Sequence, residues 1–289
     1  MTENFKKYWL FFLTLSLLAA NVFLFYFDLQ SSNRGLTFAM LNVGQGDGLF
    51  IESPTGTQIL VDGGPARNIL NQLPRVVSPF NRKFDAFIIS NPDADHIAGF
   101  LDVLKTYKVG EVFESGTLTD SKTYQNMRDE MSKDNVPDIL VKKGMRLDIG
   151  GGAVIDILFP DRNVAAWATN DGSVVAKLSY GSTSLMLTGD ATLKTEKILL
   201  AENSAEELHS TILKVGHHGS LTSTSPDFVK AVSPTYALIS DGKNNKYGFP
   251  RQQTLDTLSL FGSKILRTDL LGTIIMASDG IKDTFSFQK

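Results

Sequence analysis

Several features that define common protein classes are scarce or missing in this sequence of 289 residues. It contains no cysteine, which excludes disulfides and thiolate metal sites. Its formal net charge is −3, which does not fit a general nucleic-acid binder, because such proteins carry a basic surplus. Any contact with a polyanion must therefore come from a local basic patch. The chain has four histidines, so their positions are informative.

Long apolar runs are also rare, and the most prominent one lies at residues 8–27, with the sequence YWLFFLTLSLLAANVFLFYF. A helix of that length spans roughly 30 Å, the thickness of a bilayer's hydrocarbon core. Lys6 and Lys7 precede the run, and positive charge stays on the cytoplasmic side. We predict a cytoplasmic tail (1–7), a transmembrane helix (8–27) and a linker (28–35) in a single-pass cell-membrane protein. The alternative is a cleaved signal peptide, with Ala19 and Ala20 near the cleavage site.

The remainder of the sequence has the composition of a globular protein, with 42% hydrophobic and 20% charged residues. Runs rich in β-branched and aromatic residues, bounded by turn residues, predict strands at 36–43, 48–52, 58–61, 84–90, 153–159, 173–180, 184–188, 211–215, 236–240 and 273–277. Apolar residues at helical spacing predict helices at 97–107, 193–201 and 254–261. This order indicates sheets covered by helices in one extracytoplasmic domain, 36–289.

The stretch SNPDADH follows the predicted strand 84–90 directly. It places Asn91, Asp93, Asp95 and His96 in a loop at the end of an apolar run. Carboxylates and a neutral imidazole donate lone pairs to divalent cations, so the loop is a candidate metal site. The alternative is a solvated turn in which an aspartate caps the following helix.

Two further strand ends carry the same ligand types. Asp190 closes the run SLMLTGD, and the alternative there is an ordinary turn aspartate. His217 and His218 follow the run TILKVG, and the alternative is one hydrogen-bonded core histidine beside one surface histidine. His209 precedes that strand without such a context and is predicted to lie on the surface. Together the three strand ends predict one shared metal site.

The order SNPDADH, TGD and HHGS resembles the metallo-β-lactamase superfamily, and in particular the extracytoplasmic domain of ComEC-type competence proteins. Other stretches are similar to motifs of the same group: LNVGQGD, ILVDGG, NDGS and NKYGFP, at residues 41–47, 59–64, 170–173 and 245–250. The resemblance extends from about residue 36 to the carboxyl end. It implies an α/β (α+β) fold, an αββα sandwich with the metal site at the edge where strands end.

The same resemblance implies roles for individual residues. The implied metal ligands are Asp93, Asp95, His96, Asp190 and His217, with His218 as the alternative to His217, and they hold one or two divalent ions, Mn²⁺ or Zn²⁺. Asn91, Asp62 and Asp47 are implied to be weak ligands or orienting groups. The predicted catalytic residues are Asp95, as general base or holder of a second ion, and His218, as proton donor to the leaving oxygen. Lys214, Ser220 and Tyr247 are the predicted substrate-binding residues.

Two positions depart from the family pattern. Asn91 stands where the superfamily has a histidine, and its neutral amide oxygen favours oxygen-preferring ions such as Mn²⁺ or Mg²⁺. Phe249 replaces the histidine of an N-x-Y-G-H-P motif, which removes a polar group that would contact a phosphate. These departures predict a site that holds one ion more firmly than a second.

The predicted function is a membrane-anchored, metal-dependent hydrolase of phosphodiesters, with nucleic acid as substrate and a role in DNA uptake. One alternative is a non-catalytic relative that serves a DNA-uptake or envelope assembly. Another is a hydrolase of small esters, lactones or amides, which the sequence pI of about 5.8 suits better than it suits DNA. The predicted partners are DNA or another phosphodiester, the lipid bilayer through residues 8–27, and a separate channel protein, because one apolar span cannot conduct DNA.

Overall fold

The computed structural model describes residues 8–9, 11–22 and 35–289. Residues 8–9 and 11–22 are helical and exposed. The predicted cytoplasmic tail, most of the predicted linker and the carboxyl end of the predicted transmembrane helix lie outside the described residues. Among the helices of the described ranges, none has both the length and the apolar character that a bilayer crossing requires.

Strands of residues 35–289 form two sheets. They are β1 (Leu36–Met40), β2 (Gly48–Glu52), β3 (Gln58–Gly63), β4 (Lys83–Ile89), β5 (Lys108–Glu114), β6 (Asp138–Leu140), β7 (Arg146–Gly150), β8 (Ala153–Phe159), β9 (Val175–Tyr180), β10 (Thr183–Leu187), β11 (Ile212–Lys214), β12 (Tyr236–Ile239), β13 (Lys264–Arg267), β14 (Thr273–Ser278) and β15 (Asp283–Gln288). The first sheet has the order β15-β14-β1-β2-β3-β4-β5-β6, and the second β13-β12-β11-β10-β9-β8-β7.

Helices cover the outer face of each sheet. They are α1 (Asn68–Gln72), α2 (Ala94–Leu104), α3 (Lys122–Lys133), α4 (Leu193–Glu202), α5 (Ala205–Leu208), α6 (Pro226–Val232), α7 (Gln252–Leu260) and α8 (Thr268–Leu271). The buried side chains of α1, α2 and α3 pack with the first sheet, and those of α4, α6 and α7 pack with the second. The layers are therefore helix, sheet, sheet and helix.

The alternation of side chains along β1 shows how the sequence builds these layers. Leu36, Phe38 and Met40 are buried between the two sheets, whereas Ala39 faces the helices that cover the first sheet. Successive strand residues point to opposite faces, so a strand buried on both sides must be apolar throughout. The structure confirms the α/β (α+β) class and the αββα sandwich expected from the sequence.

Each of the ten predicted strands is present, with ends that differ by three residues or fewer. Five observed strands were not predicted: β5, β6, β7, β13 and β15. Each of them contains at least one charged residue and at least one exposed position, which weakens the apolar signal. The helix predicted at 97–107 starts at Ala94, because Asp93 is the extended residue that precedes its first turn.

Parallel strands place the functional loops at one edge. β3 and β4 are parallel in the first sheet, and β10, β11 and β12 are parallel in the second. The carboxyl ends of parallel strands meet at the same edge of a sheet, so the loops that follow them lie side by side. Asp62 on β3 and the loops after β4, β10 and β11 are thereby brought together.

Candidate metal centre

Four side chains from three chain segments converge at this edge. Asp95, His96, Asp190 and His218 each offer a ligand atom, and these atoms all lie within 4.8 Å of one another. Nε2 of His96 lies 3.2 Å from Oδ2 of Asp190, and Nε2 of His218 lies 3.7 Å from the same oxygen. Nε2 of His218 is also 3.5 Å from Oδ2 of Asp95. The strand ends predicted to share a metal site therefore do meet.

The backbone at the paired histidines is strained. His217 and His218 have φ values of 45° and 53°, in the left-handed region. Side chains other than glycine occupy this region at a cost of roughly 1–2 kcal/mol per residue. Such strain persists where the surrounding structure fixes it, and it is concentrated at functional sites. Here the left-handed backbone directs the His218 imidazole into the cluster, directly after β11.

Hydrogen bonds behind His96 fix its orientation. Its Nδ1 lies 2.9 Å from Oδ2 of Asp62, and both groups are buried. The Ser90 amide and hydroxyl donate to the two oxygens of Asp62 at 2.8 and 2.6 Å. When Nδ1–H donates to Asp62, the lone pair of Nε2 faces the cluster, which is the arrangement of metal-bound histidines. Asp62 therefore orients the His96 ring in this structure.

His218 is held in the same way by a backbone group. Its Nδ1 lies 2.9 Å from the carbonyl oxygen of Ser240, which accepts the Nδ1 proton. The Ser240 hydroxyl in turn donates to the Gly46 carbonyl at 2.7 Å. Nε2 of His218 is thereby left with its lone pair toward Asp95 and Asp190.

A buried ion pair lies beneath the cluster. Lys214 and Asp47 are both inaccessible to solvent, and the Lys214 ammonium contacts the Asp47 carboxylate. The ammonium also donates to the Gly189 carbonyl at 2.7 Å and lies 3.7 Å from Oδ1 of Asp190. Oδ1 of Asp47 lies 3.5 Å from Nδ1 of His218. Lys214 therefore faces the inside of the protein, which corrects the prediction that it binds substrate.

The electrostatics of the cluster favour positive charge at its centre. Burial alone lowers the pKa of His96, but the carboxylates of Asp190 and Asp62 raise it well above its usual value. Burial alone raises the pKa of Asp190, but His96 and His218 hold it well below its usual range. Buried carboxylates must be matched by opposite charge, because an unpaired one costs several kcal/mol.

The unpaired atoms of the cluster fit a divalent cation. Among the described residues, Nε2 of His96 and Nε2 of His218 are buried and make no hydrogen bond, and both face Oδ2 of Asp190. Asp95 adds a carboxylate that is 37% exposed, so the cluster opens to solvent on its side. Two imidazole nitrogens and two carboxylates form a ligand set suited to Zn²⁺ or Mn²⁺.

The first residues of the SNPDADH loop lie beside this group, outside its four ligand atoms. Oδ2 of Asp93 accepts a hydrogen bond from the Thr169 hydroxyl at 2.9 Å. Oδ1 of Asn91 accepts from the Asp93 amide at 2.9 Å, and its Nδ2 donates to Ser173 at 3.4 Å. Asp93, predicted as a ligand, therefore lies outside the four-residue group, with one of its two carboxylate oxygens engaged by the neighbouring loop.

Of the two adjacent histidines, His218 belongs to the group of four clustered residues and His217 does not. His218 occupies the ligand position predicted for His217, because the turn at Gly216–Gly219 directs its ring inward. His217 is partly exposed, and its Nε2 lies 3.8 Å from Oδ2 of Asp190. The Ser220 hydroxyl, predicted to bind substrate, is buried and accepts hydrogen bonds from Thr222.

Comparison with known proteins identifies the fold family. Residues 41–240 match the metallo-beta-lactamase superfamily, and this range covers more than half of the chain. The chain belongs to the metallo-beta-lactamase superfamily. It is 31% identical over 268 residues to ComE operon protein 3 of Bacillus subtilis, and this alignment covers 86% of this chain and 34% of that protein. It is 28% identical over 236 residues to competence protein ComA of Neisseria gonorrhoeae, and this alignment covers 81% of this chain and 31% of ComA.

The chain spans about a third of the length of these curated relatives. Its resemblance to ComEC-type competence proteins is confirmed for the part that matches. The solved structure of the metallo-beta-lactamase fold protein YhfI from Bacillus subtilis superposes with a TM-score of 0.56 at 16% identity. That superposition covers 81% of this chain and 96% of YhfI, and it supports the fold alone.

Some groups around this metallo-beta-lactamase site were not predicted. Ser90 orients Asp62, Thr169 binds Asp93, and the Ser240 carbonyl holds His218. Ser90 opens the SNPDADH stretch, so its position at the strand end was a usable signal. A backbone carbonyl leaves no mark in a sequence, and the role of Ser240 becomes visible only in the folded chain.

Proposed function

We propose that this chain is a membrane-anchored, metal-dependent hydrolase that cleaves phosphodiester bonds in nucleic acid. The observation that carries the proposal is the convergence of Asp95, His96, Asp190 and His218, whose ligand atoms lie within 4.8 Å of one another and include two unpaired imidazole nitrogens. Two relatives similar to the matching region are named for the ComE operon and for competence, which supports nucleic acid as the substrate.

In this proposal the four clustered residues hold a divalent cation. When bound, the cation supplies Lewis-acid stabilisation of the negative charge that develops on a phosphoryl oxygen. Asp62 and the Ser240 carbonyl keep the two ligand imidazoles in the required tautomer. Lys214 balances the charge of Asp47, which would otherwise be an uncompensated carboxylate next to the ligands.

His217 and Asp95 are the groups at the open side of the cluster. The side chain of His217 is 22% exposed, and burial lowers its pKa below the usual value, which keeps the imidazole neutral near pH 7. Nδ1 of His217 lies 2.7 Å from the Thr222 hydroxyl, so a proton on Nδ1 leaves the Nε2 lone pair available. We propose that His217 accepts a proton from the attacking water, with Asp95 as the rival base.

The test measures hydrolysis of bis(p-nitrophenyl) phosphate and of a single-stranded oligonucleotide by the 289-residue chain in detergent, with Mn²⁺ or Zn²⁺ added. Wild type and His209→Ala should hydrolyse both substrates, because His209 binds the Val232 carbonyl away from the cluster. An Asp95→Ala, His96→Ala double variant should lose this activity. Equal rates for the double variant and His209→Ala would refute catalysis at this site.

Two other outcomes distinguish the rival functions. A chain that binds no divalent metal in equilibrium dialysis would favour a non-catalytic relative, which the Asn91 and Phe249 departures suggest. Hydrolysis of ester or lactone chromophores without hydrolysis of phosphodiesters would favour a small-ester hydrolase. A phosphodiester preference that disappears in the double variant supports the proposed function.

The proposed anchor is the apolar run 8–27. In its described part the side chains of Tyr8, Trp9, Phe11 and Phe12 are each at least 60% exposed. Exposed aromatic and apolar side chains at this density are stabilised by a lipid environment. After carbonate extraction, the chain should stay in the membrane fraction, and protease added outside intact cells should digest the domain. Release into the soluble fraction would refute anchoring, and protection from protease would refute the extracytoplasmic location.

A further inference from the structure

Basic residues are concentrated in the loop between β12 and α7, after its first acidic residue, Asp241. Residues 242–251, GKNNKYGFPR, contain Lys243, Lys246 and Arg251 and no acidic residue, whereas the whole chain has a net charge of −3. All three cationic side chains belong to exposed residues. This is the kind of local patch that an acidic protein needs in order to hold a polyanion.

Two aromatic rings stack in the same loop. The rings of Tyr247 and Phe249 are 5.6 Å apart with an interplanar angle of 18°. Tyr247 is 47% exposed, so part of its side chain is accessible to a ligand. Nζ of Lys246 lies 5.1 Å from the Tyr247 ring centre, and the guanidinium carbon of Arg251 lies 5.6 Å from that of Phe249. Aromatic faces flanked by cations are the elements of single-strand nucleic-acid sites.

One side chain keeps this loop in shape. Oδ1 of Asn245 accepts hydrogen bonds from the amides of Tyr247 and Phe249 at 3.1 and 3.0 Å. Its Nδ2 donates to the Phe249 carbonyl at 2.7 Å and to Oδ1 of Asp241 at 3.0 Å. The ring pair is therefore held in place before any ligand binds, which lowers the entropic cost of binding.

The stacked pair continues directly into the metal centre. The Phe249 ring meets the His217 ring edge to face, with ring centres 5.7 Å apart. His217 in turn lies next to Asp190, at 3.8 Å from Nε2 to Oδ2. A base stacked on Tyr247 is thus separated from His217, which borders the ligand cluster, by the rings of Tyr247 and Phe249.

We propose that Tyr247 and Phe249, with Lys246 and Arg251, form a subsite that stacks an unpaired nucleobase of the substrate strand two rings away from the metal centre. The inference rests on the proposed function and narrows its substrate to single-stranded nucleic acid. The bases of a duplex are covered on both faces by their neighbours, so they do not reach an exposed ring. Stacking is tolerant of base identity, because every base has a flat face, so no sequence preference is expected.

The test measures binding of the 289-residue chain in detergent with EDTA, so that cleavage does not interfere. The probes are a fluorescent oligothymidylate, an abasic strand of equal length and charge, and a duplex. Base stacking is worth about 1–3 kcal/mol per base, so wild type should prefer oligothymidylate over the abasic strand by about tenfold. Tyr247→Ala should abolish this preference, and Tyr247→Phe should retain it.

Phe80→Ala is the matched control, because Phe80 is an aromatic residue that is 93% exposed and precedes β4 at the opposite end of that strand. It should leave the tenfold preference unchanged. A wild-type chain that binds the abasic strand as tightly as oligothymidylate, or binds neither, would overturn the subsite. So would a Tyr247→Ala variant that keeps the preference.

The two proposals fail in different ways. A wild-type chain that hydrolyses bis(p-nitrophenyl) phosphate but shows no preference for unpaired bases would overturn the subsite and leave the hydrolase intact. A chain that prefers oligothymidylate but hydrolyses no phosphodiester would support the subsite and contradict the proposed function.

Discussion

The buried pair of Lys214 and Asp47 lends itself to a quantitative test. Lys214→Met removes the ammonium and keeps most of the side-chain volume. The Asp47 carboxylate, inaccessible to solvent, is then left with the imidazoles of His218 and His96, whose Nδ1 atoms lie 3.5 and 3.9 Å away. Because both imidazoles already use Nδ1 in other hydrogen bonds, they replace the ammonium poorly.

The expected effect is large compared with the total stability of a domain. Removing one partner of a buried ion pair costs about 3–5 kcal/mol, against a total of roughly 5–15 kcal/mol. Replacing both partners with neutral groups of similar size is often neutral. The Asp47→Asn, Lys214→Met double variant should therefore recover most of the loss, which gives a coupling free energy of about 2–4 kcal/mol in a double-mutant cycle.

Urea unfolding followed by near-ultraviolet circular dichroism, with EDTA present, measures the free energy of unfolding for the four proteins of the cycle. Lys197→Met serves as the control, because Lys197 is exposed on α4, and it should change stability by less than about 0.5 kcal/mol. A loss below about 1 kcal/mol for Lys214→Met would refute the reasoning that a buried ion pair is broken. So would a double variant that is no more stable than the single variant.

Three further predictions concern the site and one pH-sensitive group. His218→Ala should lose bound divalent metal in equilibrium dialysis, whereas His217→Ala should retain it, because His218 alone of the two belongs to the cluster. Asp62→Asn should weaken metal affinity by about 10–100-fold in calorimetry, because Asp62 fixes His96 through Nδ1. Burial, helped by a neighbouring acidic group, raises the pKa of Glu114 from 4.5 to about 7. The folded chain therefore keeps a proton that the unfolded chain releases, so stability should fall by about 3 kcal/mol between pH 4.5 and 7, and Glu114→Gln should remove that slope.

Each of these predictions has a result that contradicts it. Equal metal loss in the two histidine variants would mean that both rings are ligands. Unchanged affinity in Asp62→Asn would show that His96 needs no support. A Glu114→Gln variant with the wild-type pH dependence would assign the slope to other groups. His209→Ala is the common control for the histidine variants, because its ring binds a backbone carbonyl away from the cluster.

The sequence was sufficient for the layers of the fold. The apolar run in β2 is continuous, because its residues are buried on both faces of the sheet, and the bounds of β2 agree with the prediction. Strands at the sheet margins, such as β15, have polar residues at exposed positions between their apolar ones. Their apolar pattern is therefore too weak to predict a strand. Burial on both faces therefore decides whether a strand can be predicted from the sequence.

The sequence by itself also determined which loops carry ligands, because Asp and His directly after apolar runs stand out by residue type. It did not determine which of two adjacent histidines is a ligand, since His217 and His218 are identical in chemistry and differ only in backbone orientation. Nor did it reveal that Lys214 points inward, since a lysine on a three-residue strand faces either side until the register of β10, β11 and β12 is set. Local pattern thus selected the residues, and the tertiary structure alone decided where each side chain points.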